Sequence, residues 1–515
     1  MIQNNSQQDN LFSSNVMGHP AGLFVLFFTE MWERFSYYGM RALLVIFLTS
    51  QIIDGGWAWT SEEALGLYGT YTMGVYLTPV IGGWIADRFL GYRWAVILGA
   101  LAMTLGHASM AIETPFFLYA GLFCLVIGNG LFKPNMTSII SNMYEKHPEK
   151  KDGAYSIYYM GVNAGAFLGI MLCGYIGEKE SWGLGFGLAG IFMFFGMLQF
   201  YFTQNIFGNI GLKPSLESKA AAKQLANEDT TPKKVIIDRL IVVFIFSIFT
   251  VFFWAAFEQA GGSMTLFARD YTQRILSDSS ASMFKIADTI LTIVPLLIIT
   301  YVLGKLFTQT YAKYRLGNII LGFSFAIIWG IVIWKLQREY YAEQAEVPAT
   351  WFGILNSLFI IAFAPLFSKW WESKYNLAAS VKFGLGLVLL GVGFGFLAYG
   401  SMEIVQGEDI RVSMVWLILA YLFHTLGELC LSPVGLSYVS KLVPAKWIGL
   451  MFGVYYLFIA MGNKIAGSMG GMIDQITKEY SLSTFFLIFT CVSIAAGLLI
   501  AALHPVIKKL MHGVK

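Results

Sequence analysis

The chain has 515 residues, 57% of them hydrophobic and only 13% charged. A soluble domain carries about 25% charged residues, and one soluble core stops growing near roughly 250–300 residues, so a large water-soluble protein is excluded. A net charge of +3 is too small to mark a nucleic-acid binder, and the composition describes an all-α polytopic membrane protein.

The first twenty residues are polar and lack the basic start and short apolar block of a cleaved signal. Insertion is therefore expected to rest on the spans themselves. Apolar runs of about 20 residues match the bilayer core. Hydropathy and breakers predict fourteen of them: 21–50, 64–87, 94–113, 115–141, 153–177, 183–204, 239–268, 286–305, 316–336, 351–371, 382–400, 413–440, 447–473 and 484–506.

Cytoplasmic loops collect Lys and Arg. Alternate loops hold Arg88 and Arg93, then Lys146, Lys150 and Lys151, then Lys213, Lys219, Lys223, Lys233 and Lys234. Lys313 with Arg315, Lys374, Lys446 and the tail lysines Lys508, Lys509 and Lys515 continue the set. Both termini are expected in the cytoplasm. A six-helix bundle over 1–204, a cytoplasmic linker over 205–238 and a second six-helix bundle over 239–515 follow, with an inserted transmembrane hairpin at about 286–336. Hydropathy alone does not separate this plan from a channel or a membrane enzyme. The cysteines Cys124, Cys173, Cys430 and Cys491 fall in apolar runs without CxxC spacing, and read as core residues.

The first span contains "TEMWERFSYYGMRALLVIFL". Glu30, Arg34, Tyr37 and Arg41 fall on one helix face, flanked by Glu33 and Tyr38. Each such charge costs roughly 2.5–3.5 kcal/mol at a membrane helix centre, so the set should pair and face a polar interior. In "GGWIADRFLGYRW", Gly83 permits close helix approach. Asp87, Arg88 and Arg93 at the inner face are candidate gating charges; the alternative is an ordinary positive-inside turn. His107 reads as a packing histidine.

"GNGLFKPN" in the fourth span places Lys133 beside Pro134, and "FFWAAFEQAGGSMTLF" puts Glu258 deep in the seventh. An ion pair between them would be released by protonation of Glu258; a fixed structural pair is the alternative. "WFGILNSLFIIAFAPLF" buries Asn356, whose amide needs a partner. "LGELCLSPVGLS" supplies Glu428 and Ser432, with Pro433 expected to break that helix. Basic Arg34, Arg41 and Lys133 belong to the first half, and acidic Glu258 and Glu428 to the second, with Lys464 a possible exception. A cavity positive on one wall and negative on the other suits a zwitterion with separated ends, such as a small peptide. Tyr37, Tyr38, Tyr76, Trp254 and Tyr455 neighbour these motifs and are further lining candidates. There is no HExxH and no nucleophile set that argues for a peptidase, so neither a metal nor catalysis is expected.

Taken together, these motifs resemble the proton-dependent oligopeptide transporters, a branch of the major facilitator superfamily. The similarity also includes "YLTPVIGGWIAD" (Tyr76–Asp87) and "YSIYYMGVNAGAF" (Tyr155–Phe167), and it spans nearly the whole chain. It implies a major facilitator fold of two six-helix bundles around a cavity, here with the extra hairpin. It also implies symport of protons with di- and tripeptides, with no cofactor beyond the proton gradient. Glu30, Glu33, Arg34, Lys133 and Glu258 would take part in proton coupling. Arg41 and Lys133 would receive the peptide carboxylate, and Glu428, Asn163 and Asn356 the amino end and backbone. The tyrosines matching Tyr37, Tyr38 and Tyr76 would line the pocket. The family's extra spans often lie between the sixth and seventh; here they follow the seventh. Tyr455 stands where the family usually has tryptophan, which bears on side-chain selectivity. A bacterial inner-membrane location and a monomer are expected. Other substrates (a peptide-like drug, nitrate, an amino acid conjugate) and a non-transporting peptide sensor are the alternatives.

Overall fold

The structure is a computed structural model that describes residues 11, 14–213, 232–342, 344–405, 408–444 and 447–514. Much of the expected linker, including Lys219 and Lys223, and the loop residue Lys446 and terminal Lys515 lie outside the described residues.

Helices dominate. In chain order they are α1 (Ala21–Thr49), α2 (Ser61–Ile85), α3 (Tyr92–Met110), α4 (Pro115–Met143), α5 (Pro148–Lys179) and α6 (Trp182–Thr203). Then come α7 (Lys233–Phe257), α8 (Ser263–Asp270), α9 (Asp278–Thr310), α10 (Arg315–Tyr341), α11 (Ile354–Glu372) and α12 (Ala379–Gly400). The series ends with α13 (Val415–Leu442), α14 (Ile448–Gly471), α15 (Ile473–Glu479), α16 (Leu482–Ala502) and α17 (His504–Leu510). Among the described residues, 11 helical segments are long and apolar enough to cross a membrane. Helices α1, α2 and α3 have 29, 25 and 19 residues but fall outside that apolar set. For α1 the reason is its charge, since Glu30, Glu33, Arg34 and Arg41 all lie within it.

Local signals set several helix ends. At the start of α2, Glu63 N donates to Thr60 Oγ1 at 3.2 Å and Thr60 N donates to Glu63 Oε2 at 3.0 Å, a reciprocal capping box. Ser181 and Ser481 cap α6 and α16 through their side-chain oxygens. Two sequence expectations are corrected. Pro433 does not break its helix, because α13 runs through it from Val415 to Leu442; neighbouring helices allow a membrane helix to absorb a missing N–H. The seventh span is not one helix either: α7 ends at Phe257 and a 3-10 turn, Glu258–Gly261, leads into α8.

By contact the chain forms two compact units. The first comprises Met1–Leu43, Thr78–Pro214 and Arg274–Trp351. The second comprises Leu44–Leu77, Ser215–Gln273 and Phe352–Lys515. The hairpin α9–α10 thus groups with the first unit, although it follows α7 in sequence. Each unit contains a close helix crossing at paired glycines. A Cβ added at Gly99 of α3 would stand 2.7 Å from the Gly128 carbonyl of α4. One added at Gly386 of α12 would stand 2.8 Å from the Gly427 carbonyl of α13. Without a hydrophobic drive between helices in lipid, such backbone approach supplies the packing.

Short strands tie chain segments of the first unit together. β1 (Asn15–Val16) pairs with β2 (His19–Pro20), and β3 (Ile275–Leu276) pairs antiparallel with β4 (Ala345–Glu346). Glu346 of β4 is bound by Lys179, and by Arg274 Nη1 at 2.9 Å. Burial pushes its carboxyl up, but the Lys179 hydrogen bond and the Arg274 charge outweigh burial and hold it below the usual carboxylate range.

Two predictions arise. Gly91 has φ +75°, and its Cβ position meets the Leu212 carbonyl carbon at 2.7 Å. Gly91→Ala should cost about 1–2 kcal/mol, read as a lower thermal unfolding midpoint in detergent. A lowered Glu346 contributes stability fully present above the ordinary glutamate range and lost as pH falls through the lowered value. The destabilisation caused by Glu346→Gln should therefore be constant from neutral pH to that range and fade below it, as followed by the same unfolding assay across pH.

Candidate functional site

In the first unit the expected charge stripe is a bonded cluster on α1. Arg34 Nε donates to Glu30 Oε1 at 2.9 Å and lies 2.5 Å from Glu33 Oε2. The three side chains are almost sealed, with Glu30 2%, Glu33 0% and Arg34 4% exposed. One guanidinium shared by two carboxylates resolves the cost of burying the charges. Helix α4 adds Asn129, whose Nδ2 donates to Glu33 Oε1 at 3.3 Å. Lys133, one turn further along α4, interacts electrostatically with Arg34, Glu33 and Glu30. Tyr158 of α5 joins them through Glu30, Arg34 and Glu33.

The backbone makes this burial possible. Gly165 of α5 meets the Met31 carbonyl and Gly169 meets the Phe35 backbone, so α5 presses directly on α1. Towards the C-terminal end of α1, Arg34 lies 5.4 Å from the Tyr37 ring and Arg41 lies 5.9 Å from the Tyr38 ring. The two tyrosine rings meet edge to face at 5.1 Å. Asn163 is half-buried on α5 and donates to the Tyr159 carbonyl of its own helix at 2.9 Å.

The motif between α2 and α3 has a specific arrangement. Arg93 is buried and its Nε donates to the Ile210 carbonyl at 2.6 Å, with Nη2 on the Gly208 carbonyl. It anchors α3 to the turn that follows α6. Burial, followed by the Asp87 charge and hydrogen bond, pushes Tyr92 up to about 12. Arg88 is exposed and lies over Trp84 and Phe89 at 5.8 Å each.

In the second unit, Glu258 stands at the break between α7 and α8, not inside a continuous helix. The pair Gly261–Gly262 has low helix propensity and explains the break. The carbonyls it frees find side-chain donors. Gln259 Nε2 donates to Ala255 at 3.1 Å, and Ala260 accepts from Thr265 and Tyr421 at 2.9 and 3.1 Å; Gln259 Nε2 also ties the turn to α14 through the Ala466 carbonyl at 2.9 Å. Glu258 is 2% exposed and accepts from Tyr68 at 3.0 Å. Asn356 of α11 donates to Glu428 Oε2 at 2.9 Å and to Thr425 Oγ1 at 3.1 Å, both on α13.

The aromatic residues of this unit divide. The Tyr76 ring lies 6.0 Å from Trp254 and 6.4 Å from Tyr456. Tyr455 is buried at 2%, accepts from Thr250 at 3.1 Å and fills the space over Gly435. Ser432 Oγ is buried without a hydrogen bond among the described residues. Lys464 donates to Thr70 Oγ1 at 2.7 Å. His107 is buried and neither ring nitrogen is hydrogen-bonded among the described residues, so it packs without being satisfied.

Asn129, Tyr158, Tyr68, Thr425 and Tyr456 are the neighbours that sequence reasoning missed. Asn129 precedes Lys133 by one helical turn within a motif already singled out, a usable signal. Tyr68 carried none, since its role depends on another segment nearly two hundred residues away.

The family model described as "PTR2: POT family" matches residues 93–228 and 327–488. The chain is 32% identical over 530 residues to the uncharacterized transporter YclF of Bacillus subtilis (strain 168), covering 100% of this chain and 99% of the relative. It is 29% identical over 535 residues to a di-/tripeptide transporter of Lactococcus lactis subsp. cremoris, covering 99% and 100%. A crystal structure of a peptide transporter POT in complex with sulfate superposes with TM-score 0.76 at 28% identity, covering 98% of this chain and 99% of that one. A related mutant structure carries alafosfalin, with TM-score 0.75 at 29% identity. Fold and buried charge clusters define a multi-pass helical membrane transporter. The chain belongs to the POT family, with the major facilitator type of fold expected from its motifs.

Arg34→Met would leave two buried carboxylates without their shared cation. It should cost about 3–5 kcal/mol, measured as a lower thermal unfolding midpoint in detergent, whereas Arg34→Lys should lose less.

Proposed function

We propose that this protein carries protons together with di- and tripeptides into the cell by alternating access. It would act in the bacterial inner membrane with both termini cytoplasmic, as a monomer without a cofactor or a catalytic step. The observation that carries the reading is the sealed Glu30–Glu33–Arg34 cluster with Lys133 beside it. Two carboxylates competing for one guanidinium form a bistable set: a proton on either leaves Arg34 to the other and changes the field at Lys133.

Substrate recognition follows from charge type. Arg41 and Lys133 suit a peptide carboxylate, and Glu428, oriented by Asn356, suits an ammonium end. Glu258, held by Tyr68, is the second protonation candidate. Tyr37, Tyr38, Tyr76, Asn163, Trp254 and Ser432 are assigned to the peptide backbone and side chains. Tyr455, buried against Thr250 and Gly435, would shape this surface indirectly. Asp87, Arg88 and Arg93 are assigned to inner-face gating. A second reading, transport of peptide-like molecules, has support from the alafosfalin held by a relative.

Acid-driven dipeptide uptake into proteoliposomes is the test, and uptake indifferent to the proton gradient would overturn the coupling. Glu258→Gln should abolish driven uptake while counterflow persists, whereas Lys133→Ala should abolish driven uptake and also weaken counterflow, because Lys133 is assigned to the peptide carboxylate as well. Glu428→Gln removes one charged hydrogen-bond partner and should raise KM about tenfold or more. Competition by Ala-Ala against labelled alafosfalin separates the two substrate readings.

A further inference from the structure

The hairpin α9–α10 has no part in the mechanism above, yet it contains a fully buried ion pair. Asp288 and Lys335 form an ion pair with side-chain exposures of 1% and 0%. Thr292, one turn after Asp288, donates to its Oδ1 at 3.2 Å. The opposite face of α9 presents exposed Ile286, Ile290, Val294 and Ile298, as a lipid-facing helix should. The polar stripe therefore points at protein.

Its target is α5. Lys335 lies 4.4 Å from the Trp351 ring and 5.8 Å from the Tyr175 ring. Trp351 Nε1 donates to the Met171 carbonyl at 3.0 Å, and Thr292 contacts Met171 Sδ at 3.3 Å. Tyr175 donates to Glu339 at 2.6 Å. At the outer end of α5, Glu178 accepts from the backbone N–H groups of Ala349 and Thr350, both at 2.9 Å. A second contact reaches α1 itself. The Phe325 ring of α10 meets Trp32 at 5.6 Å and Phe28 at 5.7 Å. Trp32 stacks on Phe192 of α6 at 4.6 Å and immediately precedes Glu33 in sequence.

We propose that the inserted hairpin is a positioning element for the Glu30–Glu33–Arg34 cluster, gripping α5 through Asp288–Lys335 and bracing α1 through Phe325 on Trp32. A buried ion pair is weak support for stability, and it is better suited to fixing one register of contact. Here the register matters because α5 glycines press on the α1 backbone beside the cluster. The inference rests on the coupling role proposed for that cluster.

The test compares proton-driven uptake with counterflow in proteoliposomes for Phe325→Ala and for the paired neutral substitution Asp288→Asn with Lys335→Met. Driven uptake should fall about 2- to 30-fold, the range expected for residues that modulate coupling from outside a site. Its pH profile should shift, counterflow should stay at the wild-type level, and Phe325→Leu should restore most of the loss. Wild-type counterflow with an unchanged pH profile of driven uptake would overturn the proposal, as would equal loss of both transport modes in variants that unfold at the wild-type temperature. Failure of the coupling reading is separately visible, because wild-type uptake itself would then ignore the proton gradient.

Discussion

The first unit depends on one constraint: a guanidinium and two carboxylates must exist inside an apolar helical bundle. Arg34 meets it by hydrogen bonding to Glu30 and ion pairing with Glu33, and Asn129, Tyr158 and Lys133 complete the surroundings. Most of what surrounds α1 follows from that demand. The α5 glycines allow backbone-to-backbone approach, which excludes water and lipid from the cluster. The ring stack of Trp32 on Phe192, with Phe325 behind it, closes the other side.

The second unit solves a similar problem by another route. Its acid sits where a helix stops rather than within one. Ending α7 at Phe257 frees main-chain carbonyls, and Gln259 on Ala255 with Thr265 and Tyr421 on Ala260 satisfy them at the same place. In lipid every backbone polar group must be satisfied internally, so a break of this kind needs its own donors nearby. Glu258 is thereby held by a local turn and by Tyr68, while Glu428 is oriented by a cross-helix amide. The two units thus hold their buried acids with different mechanical supports.

The hairpin illustrates how a lipid-facing addition can become part of a bundle. Its outward residues are those of any membrane helix, but its inward stripe is polar and paired. Charges that could have been avoided are present on the face that meets α5, together with β3–β4 and the Glu178 contacts at the outer end. Specific docking, rather than added apolar area, is what such residues supply.

The helical class, the positions of the long helices and the buried charges Glu30, Glu33, Arg34 and Glu258 were legible from the sequence, because lipid forces apolar runs and makes an intramembrane charge conspicuous, but the buried Asp288–Lys335 pair of the hairpin was not read from it. The spacing of Glu30 and Arg34 even disclosed their pairing, since residues four apart on a helix are neighbours. The fold decided what depends on distant segments. Asn129 on Glu33, Tyr68 on Glu258, Tyr456 rather than Tyr455 beside Tyr76, and the hairpin's membership of the first unit all required contacts between separate helices. The break after Phe257 is completed by a donor from α13, Tyr421, and by an acceptor from α14, the Ala466 carbonyl, that no local pattern records. Helix formation is local and periodic, so one chain read in order reveals it; which faces meet is settled only by the packing of the whole.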